Sequence, residues 1–262
     1  MASVHRVLLA CLVLAGGLRP NHAQNLLPNP RFEAGTTAPT GWRLMSGKGR
    51  WVHETKESAR IEAQGDGEDS SEWRSDSQNL NANGHYRVQF RGRREPGASG
   101  GTAVAGPTRM NRDFPLDQDW QLYQFVFSAP SDATQDQVRF GQWHVRGGVS
   151  FEEVRLTPVF AVHLRLADGT ELGEGESLDK GVYHFSPEFN WLGANSHRPL
   201  ATNRASFNSD RWVFGPTGEL VYRHQIGHRL QHKARVRVAL SYYVQGRLEV
   251  SACANGTDWL AL

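Results

Sequence analysis

From Gly41 onward, apolar side chains recur at every second position, the period of a strand whose side chains alternate between two faces. In residues 85–93 (HYRVQFRGR) this sets Tyr86, Val88 and Phe90 on one face and Arg87, Gln89 and Arg91 on the other. In residues 120–130 (WQLYQFVFSAP), Tyr123, Phe125 and Phe127 oppose Leu122, Gln124 and Val126. Residues 138–145 (VRFGQWHV) alternate too, with Gly141 as a candidate bulge, and residues 149–159 (VSFEEVRLTPV) read as a closing strand. Turn clusters such as QGDGEDSS (64–71) and REPGASGG (94–101) separate these runs. Short alternating strands spaced by such turns predict a sandwich or barrel. No helical period, heptad or short repeat competes with that reading.

A boundary falls near residues 157–162. Beyond it, residues 160–176, 181–189, 204–215, 218–226, 234–244 and 246–262 read as further strands. Val236 and Val238 alternate there with Arg235 and Arg237, predicting one dry and one wet face. The expected architecture is therefore all-β, an N-terminal β-sandwich over residues 25–158 followed by a second β-rich domain over residues 160–262. The second is expected to be incomplete, because the chain stops at its Trp259 strand.

Composition agrees. The 262 residues hold 8 Trp, 12 Phe and 6 Tyr against 3 Met, so the apolar mass is aromatic, and 27 Gly and 12 Pro supply turns. A net charge of +2, from 29 basic and 27 acidic residues, gives no electrostatic case for nucleic acid or an anionic membrane. Residues 1–23 read as a signal peptide: His5 and Arg6 precede an apolar run, VLLACLVLAGG (7–17), too short to span a bilayer, and Ala23 offers a small residue for cleavage. No later stretch is a transmembrane helix candidate, so the expected location is secreted, periplasmic or cell envelope. LLAC (8–11) has the outline of a lipoprotein box, but the apolar run continues past Cys11, which argues against lipidation. Cys253 is then left alone, a small buried hydrophobe with no disulfide framework.

NLLPNPRFEAG (25–35) followed by Gly41-Trp42 resembles the entry strand of the galactose-binding-like jelly roll, and most nearly that of carbohydrate-binding modules attached to xylanases and glucanases. The resemblance continues in order through Trp73 to Ser75, Tyr86 to Phe90, Trp120 to Pro130 and Glu152 to Leu156. It covers roughly residues 25–158, and departs where Glu152-Glu153 stands for the Asp-Asp of the family. The last thirty residues, with Ala254-Asn255-Gly256 as a turn, resemble discoidin-like domains more weakly. The resemblance implies a jelly-roll sandwich that binds polysaccharide without catalysis. It also implies a structural calcium ion held between first and last strands, with Glu33 and Glu153 as ligands. Glu153 is expected to point inward, because it shares alternation with Phe151.

Aromatic side chains stack on pyranose rings while flanking polar groups bond the hydroxyls. If Val138 and Phe140 point inward, Trp143 and Arg139 point out, and Trp143 becomes the stacking platform, with Arg87, Gln89 and Gln124 around it. The competing reading is an ordinary solvated face with one Trp under a loop. Trp42, Trp73 and Trp120 read as core or strand-edge packing. His224, His228 and His232 would form a metal-binding face on a helix, but the alternation of VYRHQI and the break at Gly227 favour a strand. Asn203, Asn208, Arg211, Tyr222, Arg223 and His224 form the densest polar-aromatic patch, read as loop bracing or a second ligand site. No catalytic motif occurs, and Asp210, Glu219 and Asp258 read as solvated caps rather than a glycosidase pair. The alternatives to sugar binding are a structural or adhesive protein of the cell envelope and a fragment of a glycoside hydrolase.

Overall fold

The computed structural model describes residues 24–55, 58–187, 189, 195–227 and 229–262. The expected leader, residues 1–23, lies outside them. The chain is all-β: no helix occurs among the described residues. The strands up to Pro158 are β1 (Trp42–Ser46), β2 (Lys48–Thr55), β3 (Ser58–Asp66), β4 (Ser70–Ser75), β5 (Gln78–Asn79), β6 (His85–Arg94), β7 (Thr102–Pro107), β8 (Met110–Phe114), β9 (Gln121–Ser128), β10 (Gln135–Asp136), β11 (Val138–Trp143) and β12 (Arg146–Pro158).

Ten of them form two sheets, and β5 pairs with β10 apart from both. One runs β2-β3-β12-β6-β9; the other runs β1-β4-β11-β7-β8 and continues into Ser206–Asn208 and Arg211–Val213. Apart from the β2-β3 and β7-β8 hairpins, successive strands cross between the sheets, the interleaving of a jelly roll. Alternation then fills the space between the sheets. Phe90 of β6 meets Phe151 of β12 and Tyr123 of β9 in its own sheet, and Phe114 and Phe140 across the gap, with ring centroids 5.0–5.6 Å apart. Phe90, Phe140 and Phe151 are fully buried. Such aromatic pairs add about 0.5–1.5 kcal/mol each beyond the area they remove from water.

Residues 25–41 form no ladder strand, although a first strand was expected. Pro28 and Pro30 remove backbone donors, so the stretch is pinned to β12 by single bonds. The Asn25 amide donates to Val154 O at 3.0 Å, and its carbonyl oxygen accepts from Leu27 N and Leu156 N at 3.1 and 2.9 Å. Two indole donors take the carbonyls left over: Trp42 Nε1 bonds Pro28 O at 2.9 Å and Trp51 Nε1 bonds Phe32 O at 2.8 Å. The opening stretch is thus a belt that ties the first residues to the last strand of the sandwich. Gly141 is not a bulge. β11 runs in regular register there, and a Cβ on Gly141 would lie 2.3 Å from Ser71 O. Glycine lets β4 approach.

The region after Pro158 has short hairpins in place of the expected long strands. Leu164–Arg165 pairs with Glu171–Leu172, Glu176–Asp179 with Val182–Phe185, Leu200–Asn203 with Leu220–Tyr222, and Ser251–Ala252 with Leu260–Ala261. Residues beyond the boundary near residue 160 touch the sandwich. Ser206–Asn208 runs parallel to β8, Phe207 is buried in the sandwich core, and the Asn195 side chain bonds the backbone of Ser128 at 3.0 and 2.9 Å. Residues 234–244 pair with no strand, and Val236 and Val238 are 60% and 53% exposed, so the expected dry face is wet.

Candidate functional site

The outer face of the five-stranded sheet carries a polar groove of about 480 Å³, lined by Lys48, Arg50, Glu62, Gln64 and Glu95 over Gly147 and Gly148. Strand register builds it. β2 sets Arg50 opposite Glu62 and Lys48 opposite Gln64; β12 sets Ser150 opposite Glu62; β6 sets Arg93 opposite Ser150. The row Arg50–Glu62–Ser150–Arg93 therefore crosses four strands, with an arginine at each end. Arg50 Nη2 reaches both oxygens of Glu62 at 2.9 and 2.8 Å, and Gln64 Nε2 donates to Glu62 Oε1 at 2.8 Å. Ser150 Oγ donates to Glu95 at 2.5 Å, and Arg93 Nε donates to the same oxygen at 3.2 Å.

Gly148 keeps the two carboxylates accessible to each other. A Cβ there would lie 2.8 Å from Glu62 Oε1 and 3.2 Å from Glu95 Cγ. Burial pushes the Glu95 carboxyl up, but Ser150, Arg93 and Arg60 outweigh it and hold the group below the usual carboxylate range. The row ends at half-buried Trp120, whose ring lies 4.7 Å from the Arg93 guanidinium and 5.7 Å from that of Arg91. The groove thus offers fixed carboxylate acceptors, guanidinium and amide donors, and one aromatic edge. Hydrogen bonding to a polyhydroxylated ligand suits it. Proton donation does not, because Glu95 stays ionised.

The five residues expected to share one face are divided between two. Arg87, Gln89 and Gln124 lie on the outer face of the five-stranded sheet, with Gln89 directly opposite Gln124. Trp143 and Arg139 lie on β11, in the other sheet, and face away from the core on the opposite side of the sandwich. Alternation says whether a side chain points in or out. It does not say to which sheet a strand belongs, and the jelly roll sends β9 and β11 to different ones. Trp42 and Trp73 are core, at 2% and 4% exposure.

The acidic pair also departs from expectation. Glu152 opposes Arg91 and Arg155 opposes Gln89, so β12 carries one extra residue between them. This bulge, with Glu153 at a φ of 50°, breaks the alternation after Phe151. Glu153 is exposed and Val154 is buried. Arg91 Nη1 bonds Glu152 at 2.7 Å, and Arg31 Nε lies 3.2 Å from Glu33. Among the described residues no group of three His, Cys, Asp or Glu side chains is placed to share a metal ion. Arg31 and Arg91 thus face Glu33 and Glu152, and Glu153 points outward rather than inward as expected.

Of the other patch, Asn203 is buried and donates to Ser128 O at 3.3 Å, and Arg211 pairs with Asp210. Tyr222 and His224 stack beside Phe185. His224 Nδ1 lies 2.9 Å from Tyr183 Oη, which donates to Glu176 Oε1 at 2.7 Å; the Glu176 side chain is buried and bound to Arg198. His228 lies outside the described residues and His232 is exposed, so the three histidines make no described metal face. Sequence reasoning missed Arg50, Glu62 and Glu95. Their signal is the charge alternation of KGRWVH and ARIEAQ, which becomes a site only through the pairing of β2 with β3.

No family model matches the chain, and no curated protein does. Solved structures do. The CBM22-1 xylan-binding domain from Paenibacillus barcinonensis Xyn10C is similar at 16% identity and a TM-score of 0.41, over 53% of this chain and 97% of that one. The TmCBM61 module, solved with β-1,4-galactotriose, is similar at 16% identity and a TM-score of 0.39, over 52% of this chain and 100% of that one. The enzymatically active domain of bacteriophage CBA120 tailspike protein 4 is similar at 13% identity and a TM-score of 0.38, over 52% of this chain; this chain spans 21% of its length. These are carbohydrate-binding modules and one phage enzyme domain, matched over about half of the chain by an all-β sandwich.

Proposed function

We propose that the chain is a non-catalytic carbohydrate-binding protein that holds a glycan in the groove of the five-stranded sheet. The observation that carries this reading is the row Arg50–Glu62–Ser150–Arg93, fixed by strand register and flanked by Glu95 over a glycine floor. Its donors and acceptors are already aligned by one another, so little side-chain entropy is lost when sugar hydroxyls replace water. Both carboxylates are arginine-bound, and the partners of Glu95 hold it below the usual carboxylate range, which supports binding rather than hydrolysis. The leader read in residues 1–23 supports export, where polysaccharide is met; N-terminal sequencing of exported protein beginning at Met1 overturns that part.

Affinity electrophoresis in gels containing xylan, β-1,4-galactan or hydroxyethylcellulose tests the groove. Retardation of the full chain is expected in at least one gel, and its loss in a Lys48→Ala/Gln64→Ala variant with an unchanged melting temperature. A variant retarded as strongly as the parent overturns the groove, and reducing-sugar release overturns the non-catalytic reading.

A further inference from the structure

The opposite outer face presents a different surface. Trp143 is 52% exposed, while the other tryptophans of the sandwich are buried or half-buried. Its ring is stacked on His144, with centroids 4.2 Å apart and planes 22° apart. His144 holds a φ of 56°, a left-handed conformation that a non-glycine residue adopts at a cost. The indole therefore has a ring packed against one of its faces. Its cross-strand neighbours are Ser70 on β4 and Thr102 on β7, both too short to wall it in.

Two residues back on β11, about 7 Å along the strand, lies a row with a carboxylate at each end. Register aligns Glu72, Gly141, Val104 and Asp113 across β4, β11, β7 and β8. Both Glu72 oxygens are fixed: Arg74 Nε donates to Oε1 at 2.8 Å and Arg139 Nη1 to Oε2 at 3.1 Å. Asp113 stands at the far end of the row; burial raises its pKa against the pull of Ser209, Arg139 and Arg211. A single exposed aromatic is ordinary on a protein surface. A tryptophan stacked on a left-handed neighbour, with an arginine-fixed carboxylate one strand over and two residues along, is a stacking surface with hydrogen bonding beside it.

We infer that Trp143, with Glu72 and Arg139, forms a second carbohydrate-binding surface on the seven-stranded sheet, so that the sandwich engages polysaccharide on both outer faces. This rests on the reading that the chain binds glycans, but not on the groove as the place. Two sites facing apart cannot grip one short oligosaccharide together; they suit a protein bridging two chains of a polymer, where linkage raises avidity without new contacts.

Oxidation of individual tryptophans by N-bromosuccinimide, read by peptide mass spectrometry, tests it on the full chain. Xylohexaose, cellohexaose and β-1,4-galactotriose are the probes, and the Lys48→Ala/Gln64→Ala variant is run beside the parent. Trp143 is expected to oxidise several-fold more slowly with at least one sugar, equally in parent and variant. A Trp143→Ala variant, exposed enough to fold normally, is expected to keep the groove's binding of that sugar. Trp143 that oxidises at one rate with and without every sugar, while the parent still binds through the groove, overturns the second surface and leaves the groove standing. Protection that disappears in the groove variant overturns it as well, because one site then explains both. Absence of binding to any polysaccharide removes both readings.

Discussion

Val88 and Val236 sit in nearly the same local sequence, Arg87-Val88-Gln89 and Arg235-Val236-Arg237, each within a run of alternating apolar residues. Val88 is wholly buried and Val236 is 60% exposed. The difference is not in the strands but in what meets them. β6 is flanked by β12 and β9, and its apolar face is met by Phe140 and Phe114 of the facing sheet. Residues 234–244 have neither ladder partner nor facing sheet among the described residues. Alternation gives a segment the capacity for a buried face; burial needs a second surface, and only the sandwich has two. The downstream region is held differently, by the polar cluster around Glu176 and by Phe207, Asn195 and Asn203 leaning on the sandwich.

The contrast is sharpest in the core. Phe90→Ala is expected to cost about 3–5 kcal/mol in urea unfolding, as large-to-small changes of buried aromatics do. Phe185→Ala, in the half-buried downstream cluster, is expected to cost less than half of that. Equal losses would mean that the two regions share one cooperative core after all.

Acid should act on the downstream region first. Burial lowers the pKa of His197 to about 4, and it lowers that of His224 in the same direction. A histidine whose folded pKa lies below its unfolded value binds fewer protons when folded. Stability is therefore full above pH 6.5 and falls as pH drops through 6.5 toward 4, by roughly 3 kcal/mol at most for His197. Glu176 reinforces this at lower pH: burial raises its pKa, but Arg198, Tyr183 and Gly173 hold it below the usual range, so its contribution is lost on acidification. Hydrogen exchange at pH 7 and 4.5 is expected to show loosening around His197 while β6 and β12 keep their protection. Uniform loosening breaks the comparison.

Two asparagines separate long-range from local bonding. Asn25 ties backbone across 129 and 131 residues, and Asn25→Ala should cost about 1–3 kcal/mol through the groups it leaves unpaired. Asn255 accepts from Thr257 N and Asp258 N within its own exposed turn, and Asn255→Ala should stay within about 0.5 kcal/mol. Both are read from chemical denaturation; an Asn25 value as small as that of Asn255 would remove the belt between the first residues and β12.

What the sequence makes legible follows from range. Strand faces in β6, β9 and β11 are local facts, set by alternation, and Tyr86, Val88, Phe90, Phe125, Phe127 and Phe140 are buried as their positions imply. Partnership is not local. Nothing near Trp143 says that β11 lies in the other sheet from Arg87 and Gln124, and nothing near Arg50 says that Glu62 is opposite it. The orientation of Glu153 fails for a related reason: one inserted residue shifts every later face, and only the register with β6 reveals it. Hence single candidate side chains were legible, while the groove, a product of register among four strands, was not.

The smallest expected effect decides whether residues 234–244 are as bare in solution as they stand here. Val88→Thr puts a hydroxyl into a dry site with no acceptor provided, and should cost about 1–3 kcal/mol. Val236→Thr and Val238→Thr keep the side-chain shape and β-branching at positions that are already 60% and 53% exposed, so each should change stability by less than about 0.5 kcal/mol. All three variants are measured in the same urea titration, which cancels errors of extrapolation. Threonine suits an extended strand as well as valine does, so propensity cannot mask the result. If the downstream threonines cost as much as Val88→Thr, their methyl groups must be covered in solution, and the alternation of residues 234–244 would be serving a buried strand. A near-zero result keeps the lesson of the comparison: the pattern is the same, and the missing second surface is what separates the two regions.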